Sequence, residues 1–318
     1  MEELKLTKEW DKTFAKSEKV DHSKVTFPTR YGFTLAADLY IPKDAEGEMP
    51  AVVTCGPYGA VKEQSSGLYA QTLAERGYIT LAFDPSYTGE SSGYPRNTTS
   101  PEINTEDYSA AIDYLMTRDD IDENKVAILG VCGWGGIALS AAYADPRIKA
   151  TVCATSANLH IEAAGPGREM TLAMMSQQRT AEARGAEPMT MFSVPAQIKA
   201  DDPQPVKDFY NYYRNPERGY HPRAINSGIA VSLNQSRGYT IFPLDTYIDK
   251  IENAVLMVHG DQAMSLPAAK GFFEKLKGDN KEFYTVPGAV HTDLYDGGPE
   301  HDKIPFDKID AFLKEYLK

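Results

Sequence analysis

Gly130-Val131-Cys132-Gly133-Trp134-Gly135-Gly136 joins the most apolar run of the chain, Val126–Val131, to a helix-forming stretch from Gly133 to about Ala144. A strand that passes directly into a helix needs a tight turn, and glycines remove the Cβ clashes such a turn creates. The residue at its apex is lifted above the sheet edge. Cys132 then sits at a helix N-terminus, beside unpaired N–H groups and the positive end of the helix dipole. Both favour thiolate over thiol, and the N–H groups can hold a developing oxyanion. Cysteine is among the most buried residue types, so a structural role is the alternative reading. That reading suits Cys55 and Cys153, whereas the turn makes Cys132 the candidate nucleophile.

Two other readings of the stretch fail. Val126 to Ala144 carries no charge and approaches the length of a membrane span, but glycines at 130, 133, 135 and 136 break it in the middle. Gly133-Trp134-Gly135-Gly136-Ile137-Ala138 fits G-x-G-x-x-A formally. The next strand, however, ends Ala154-Thr155-Ser156 with no acid placed for a ribose. No P-loop lysine follows either, and no cofactor or metal is expected.

Outward from the elbow, strands and helices alternate. Lys24–Arg30 and Leu35–Ile41 form a hairpin about Tyr31-Gly32. The strand Ala51–Thr54, the helix Ser66–Arg76 stopped by Gly77, the strand Ile79–Phe83 and the helix Glu106–Met116 follow. After the elbow come the strands Ala150–Thr155, Ala254–Val258 and Glu282–Val286, with helices near Pro267–Lys277 and from Phe306. Such alternation predicts an α/β fold, a mostly parallel sheet with helices on both faces. The pattern stops between Ser156 and Pro243, a polar segment rich in Met and Tyr with helical fragments. Its aromatic residues, Phe192, Phe209, Tyr210, Tyr212 and Tyr213, supply apolar area that a disordered loop does not need. The expected organisation is therefore core 1–155, an inserted, mainly helical cap 156–243, and core 244–318.

Length and charge bound the function. A chain of 318 residues buries a sizeable core. A net charge of −12 argues against nucleic acid and anionic membranes as partners. Three cysteines make no disulfide framework, and the charged start Met1–Val20 lacks the apolar core of a signal peptide. A cytoplasmic setting is expected, with a small-molecule acyl substrate as partner. Oligomeric state is left open.

A thiol nucleophile needs a base. His291 lies in Val286-Pro287-Gly288-Ala289-Val290-His291, after the last strand and before the last helix, from where it can reach Cys132. His259, which ends a strand, reads as packing. In the order nucleophile, acid, histidine, the acid follows the strand Ala254–Val258, and Asp261 is the carboxylate there. Asp245 and Asp84 are the fallbacks, although Asp84 reads as bracing a turn. The Gly-rich loop Cys55-Gly56-Pro57-Tyr58-Gly59 ends a neighbouring strand, so the N–H of Tyr58 or Gly59 joins that of Gly133 as candidate oxyanion donor. Glu63 reads as a surface charge, with approach to the resting thiol as the alternative.

Together these residues resemble the dienelactone-hydrolase-related branch of the α/β-hydrolase superfamily. The resemblance rests on the elbow at 130–136, the loop ending Val61-Lys62-Glu63-Gln64, Asp84–Ser91, Arg218–Asn226 and Pro287–Tyr295. It runs from about residue 25 to the C-terminus and implies a thiol hydrolase using Cys132, His291 and an acid. Two departures stand out. Trp134 occupies the place of a small residue, and the longer elbow resembles cocaine-esterase-like and X-Pro-peptidase-like relatives, which keeps acylpeptide substrates open. Ala263 occupies the place where many hydrolases carry the acid.

Overall fold

The computed structural model describes residues 2–157, 168–234, 238–239 and 244–318. Eight strands form one sheet: β1 Val20–Pro28, β2 Thr34–Pro42, β3 Met49–Cys55, β4 Ile79–Phe83, β5 Ile121–Val131, β6 Ile148–Ala154, β9 Ala254–Gly260 and β10 Lys281–Val286. Their spatial order is β1-β2-β4-β3-β5-β6-β9-β10. β1 and β2 pair antiparallel, β2 pairs antiparallel with β4, and every further pair is parallel. The expected α/β class is what the chain adopts.

Strand β5 shows why the sheet is covered on both faces. Side chains alternate along a strand, so Val126 and Ile128 join the cluster holding Trp134 and Ile137, whereas Ala127, Leu129 and Val131 join the one holding Leu73 and Phe312. Helices α2 (Pro101–Leu115) and α3 (Gly133–Ala144) cover the first face; α1 (Ser65–Ala74) and the C-terminal helix Phe306–Tyr316 cover the second. A full-length apolar strand fits this two-sided burial. Each buried aliphatic side chain contributes roughly 1.5–3 kcal/mol relative to exposure.

The strand order reverses at β3, which lies between β4 and β5. Ligands of open α/β sheets bind at such a switch point, beyond the carboxyl ends of the strands. The loop after β3 and the turn after β5 therefore meet there.

Three elements differ from expectation. Helix α2 begins at Pro101, because proline suits the first helical position and the Asn104 side chain accepts the Ser100 N–H at 3.0 Å. A two-residue antiparallel pair, β7 Thr190–Met191 with β8 Val231–Ser232, lies in the segment expected to hold no strand. One helical turn, Asp293–Asp296, follows His291. The segment 156–243 also holds helices α4 (Arg168–Ala183) and α5 (Gln204–Tyr213). Its stretches 158–167, with His160, 235–237 and 240–243 lie outside the described residues. Among the described residues no helix is long and apolar enough to cross a membrane.

Candidate active site

Cys132 is held at φ 58°, ψ −126° at the end of β5. A non-glycine residue there costs on the order of 1–3 kcal/mol, and the surroundings must over-determine it. They do. Its N–H donates to the Ala154 carbonyl at 2.9 Å, and its own carbonyl accepts from Gly135 at 2.9 Å and Ala157 at 3.0 Å. Gly130 is needed for close approach, since a Cβ there would stand 2.1 Å from the Trp134 carbonyl oxygen. Gly133 opens helix α3, so its N–H has no intrahelical acceptor.

His291 is buried beside the elbow. Its Nε2 lies 3.0 Å from the Tyr295 hydroxyl, and that hydroxyl also interacts with the Cys132 side chain. The structure thus joins thiol and imidazole through Tyr295. The His291 Nδ1 lies 2.5 Å from Ser265 Oγ and 3.1 Å from Thr155 Oγ1. Ser265 Oγ in turn lies 3.2 Å from Nε2 of the buried His259. Burial holds the His291 pKa down to about 3, with His259 adding to the effect. Burial likewise lowers His259.

The expectation for Asp261 is corrected here. Its carboxylate is turned outward, where it accepts the Gly288 N–H at 2.8 Å and a Gln262 amide hydrogen at 3.1 Å. It braces the loop that carries His291 without touching the imidazole. Asp245 pairs with Lys275 at 2.6 Å and Asp84 with Lys62, so neither fallback stands in its place. Sequence reasoning missed Tyr295 and Ser265, and took His259 for packing. Tyr295 had one signal, its position four residues after His291, which a helical turn brings to the same side.

On the oxyanion side, the carbonyls of Tyr58 and Gly59 are both taken by Asn226, through its side-chain amide at 2.7 Å and its backbone N–H at 3.1 Å. A Cβ on Gly59, at φ +74°, would stand 2.6 Å from Asn226 Oδ1. Asn226 is a third residue that sequence reasoning did not single out.

The same loop ends in a buried ion cluster. The Lys62 ammonium meets Glu63 at 2.8 Å, Asp84 at 2.7 Å and Glu90 at 2.7 Å. Lys24 and Arg223 add cations to Glu63 at 3.2 and 2.9 Å. Glu63 is thus buried rather than a surface charge, and these cations hold its pKa below the usual range against the cost of burial. Among the described residues, Glu63, Asp84 and Glu90 are spaced as metal ligands would be. The Lys62 ammonium already fills the space between them, so the cluster is a neutralised brace for the loop. Asp84 also accepts the Glu90 N–H at 2.8 Å, which braces its own turn.

Helix α5 lies over the imidazole. The Phe209 ring is 5.4 Å from that of His291, and Tyr213 is buried in the cluster that contains Cys132.

Residues 32–291 match the family described as X-Pro dipeptidyl-peptidase (S15 family). The chain is 47% identical over 326 residues to the uncharacterized protein PA2218 of Pseudomonas aeruginosa, covering 99% of this chain and 86% of that protein. A crystal structure of PA2218 matches with a TM-score of 0.93 at 46% identity, over 99% of this chain and 100% of that one. Thiohydrolase aneE of Aspergillus aculeatus is 35% identical over 133 residues, 42% of this chain and 41% of that protein. The α/β hydrolase GrgF from Penicillium sp. sh18 has a TM-score of 0.73 at 21% identity, over 93% and 99% of the two chains, a likeness of fold.

Proposed function

The chain belongs to the X-Pro dipeptidyl-peptidase (S15) family of α/β-hydrolase-fold proteins, and on that premise we propose that it hydrolyses acyl thioesters and activated carboxylic esters, with Cys132 as nucleophile and His291 as base. The observation that carries this reading is the strained elbow. Cys132 occupies a costly backbone conformation, fixed by three backbone hydrogen bonds, at the switch point of the sheet and beside a buried histidine. Strain of this kind clusters at functional sites.

In the proposed reaction the thiol proton passes to Tyr295 Oη as the tyrosine gives its own proton to His291 Nε2. The sulfur attacks the acyl carbon, and the N–H groups of Gly133 and of Tyr58 or Gly59 hold the oxyanion. The leaving group departs with the proton held by His291 Nε2, which restores the neutral imidazole. Water then attacks the acyl-enzyme, losing a proton to His291, and that proton returns through Tyr295 to the departing thiolate. The segment 156–243 acts as a roof that selects the substrate, with Phe209 and Tyr213 supplying apolar lining. The match to thiohydrolase aneE supports a thioester substrate.

Family membership favours one second reading, cleavage of an X-Pro peptide bond. Attack on an amide needs a plentiful thiolate, and a buried imidazole of such low basicity takes the thiol proton up reluctantly, which suits the more reactive acyl groups. A panel of chromogenic acyl esters, acyl thioesters and X-Pro anilides, run beside Cys132→Ala and Cys132→Ser, tests both. Turnover of the esters and thioesters that disappears in Cys132→Ala is the expected result. Equal turnover by that variant removes Cys132 from the reaction, and anilide cleavage alone selects the peptidase.

A further inference from the structure

We propose that Ser265 and His259 are positioning residues that hold His291 in its Nδ1–H form through a directed chain of neutral hydrogen bonds, in the place where a triad acid would stand. The inference rests on the Cys132–His291 reading above.

The direction of the chain is assigned from the contact between His259 Nδ1 and the Gly260 carbonyl. The Gly260 carbonyl can only accept, and His259 Nδ1 lies 3.2 Å from it, so that nitrogen carries the proton. His259 is buried among apolar strand residues and stays neutral, which leaves its Nε2 a bare acceptor. Ser265 Oγ, 3.2 Å from that Nε2, therefore donates to it. The lone pairs of Ser265 then face His291 Nδ1 at 2.5 Å, and Nδ1 must be the donor. Thr155 fits the same direction. Its hydroxyl lies 3.2 Å from the His291 carbonyl oxygen, and donating there turns a lone pair to Nδ1, at 3.1 Å. Two acceptors thus converge on one N–H. His291 Nε2 is left bare and accepts the Tyr295 hydroxyl at 3.0 Å, on the side of the thiol.

The arrangement orients the imidazole as a carboxylate would but supplies no charge. Thr155, Ser265, Tyr295, Phe209 and His259 face His291, and none is an acid. A carboxylate stabilises the imidazolium that forms in the reaction; hydroxyls that end on a backbone carbonyl do so far less. The second proton on His291 is then expensive, so little of the thiolate–imidazolium pair forms. The substrates this site can turn over are acyl groups activated by a good leaving group, such as a thiolate or a phenolate, whose carbonyl a scarce thiolate can still attack. Alkyl esters and amides, whose carbonyls are less reactive, fall outside that class.

The test joins proton placement to leaving-group dependence. Long-range 1H–15N correlation of histidine-labelled protein at pH 7, assigned with His259→Gln and His291→Gln, is expected to show both rings protonated on Nδ1 with bare Nε2. Across a series of acyl donors, kcat should fall steeply as the leaving-group pKa rises. Ser265→Ala should lower kcat about 10- to 100-fold with little change in KM, within the range of general base effects, and Ser265→Thr should restore it. Asp261→Asn should leave kcat unchanged. A wild-type His291 that is an imidazolium or carries its proton on Nε2 overturns the proposal, whether or not the variants fold. So does an Asp261→Asn loss equal to that of Ser265→Ala. The expected ring protons without turnover of any acyl donor would support the chain and overturn the hydrolase reading instead.

Discussion

Asp84 accepts two hydrogen bonds from one residue, the backbone N–H of Lys62 at 2.8 Å and its ammonium at 2.7 Å. The loop after β3 is thereby tied to the loop after β4 by both main chain and side chain. The tie holds the Tyr58–Gly59 turn from one end, while Asn226 holds it from the other. Removing one partner of a buried ion pair strands the other charge and costs about 3–5 kcal/mol. Lys62→Met leaves Glu63, Asp84 and Glu90 without their shared cation, so its urea unfolding should show a loss of that size. A change below about 1 kcal/mol would mean that the cluster contributes little.

Cys132 should be the thiol that reacts first with iodoacetamide. It keeps 8% exposure, against 1% for Cys55 and 0% for Cys153. Burial pushes the Cys153 thiol up to about 12, and Cys55 is raised too, by burial and by Asp107 and Asp84. Brief labelling near neutral pH followed by peptide mass spectrometry should place the adduct on Cys132. Label mainly on either other cysteine contradicts the elbow's proposed role.

Tyr295→Phe keeps the ring, which packs on Tyr212 at 5.0 Å, and deletes only the hydroxyl between thiol and imidazole. Its kcat on an activated thioester should fall about 10- to 100-fold, with KM nearly unchanged, if the hydroxyl carries the proton. A higher KM at wild-type kcat would make Tyr295 a substrate-binding group instead.

Buried His291 titrates near 3 when folded, against about 6.5 in an unfolded chain. Between these values the unfolded state binds more protons, so stability falls as pH is lowered, by at most about 1.4 kcal/mol per pH unit. Above about 6.5 the stabilising difference is fully present, and below about 3 no further loss arises from this group. Buried Asp107, pushed up to about 6, acts in the opposite sense. The comparison must therefore be made against His291→Gln, whose stability should fall less steeply from pH 6.5 to 3. Parallel curves would show that His291 titrates normally in the folded protein.

The sheet and its helices were legible because burial on two faces leaves a period and a run length in the sequence, as in Val126–Val131. The elbow was legible because a strand-to-helix turn needs glycines at set positions. Side-chain direction leaves no such trace. Asp261 was in the right loop but faces Gly288, and Ser265, a short polar residue before a helix, looks like any helix start. Glu63 read as a surface charge because charged loop residues usually are exposed. Of its partners, Lys62 is buried with it and Lys24 and Arg223 partly so, and most of them are distant along the chain.

The N-terminal segment enters the same cluster. The Thr7 N–H donates to Glu90, Lys12 pairs with the Asp38 carboxylate at 2.6 Å, and Arg223 reaches Asp11 at 2.8 Å and Glu63 at 2.9 Å. During synthesis these groups leave the ribosome in the order 7–12, 38, 62–63, 84–90 and 223. Asp11 lacks its cation, and Glu63 one of its three, until the guanidinium of Arg223 emerges, more than a hundred residues after Glu90. The bracing of the loop after β3 is therefore complete only once the second half of the chain is under way, and a nascent chain stopped before Arg223 holds the elbow's neighbour by its Lys62–Asp84 tie, without Arg223 or Asn226.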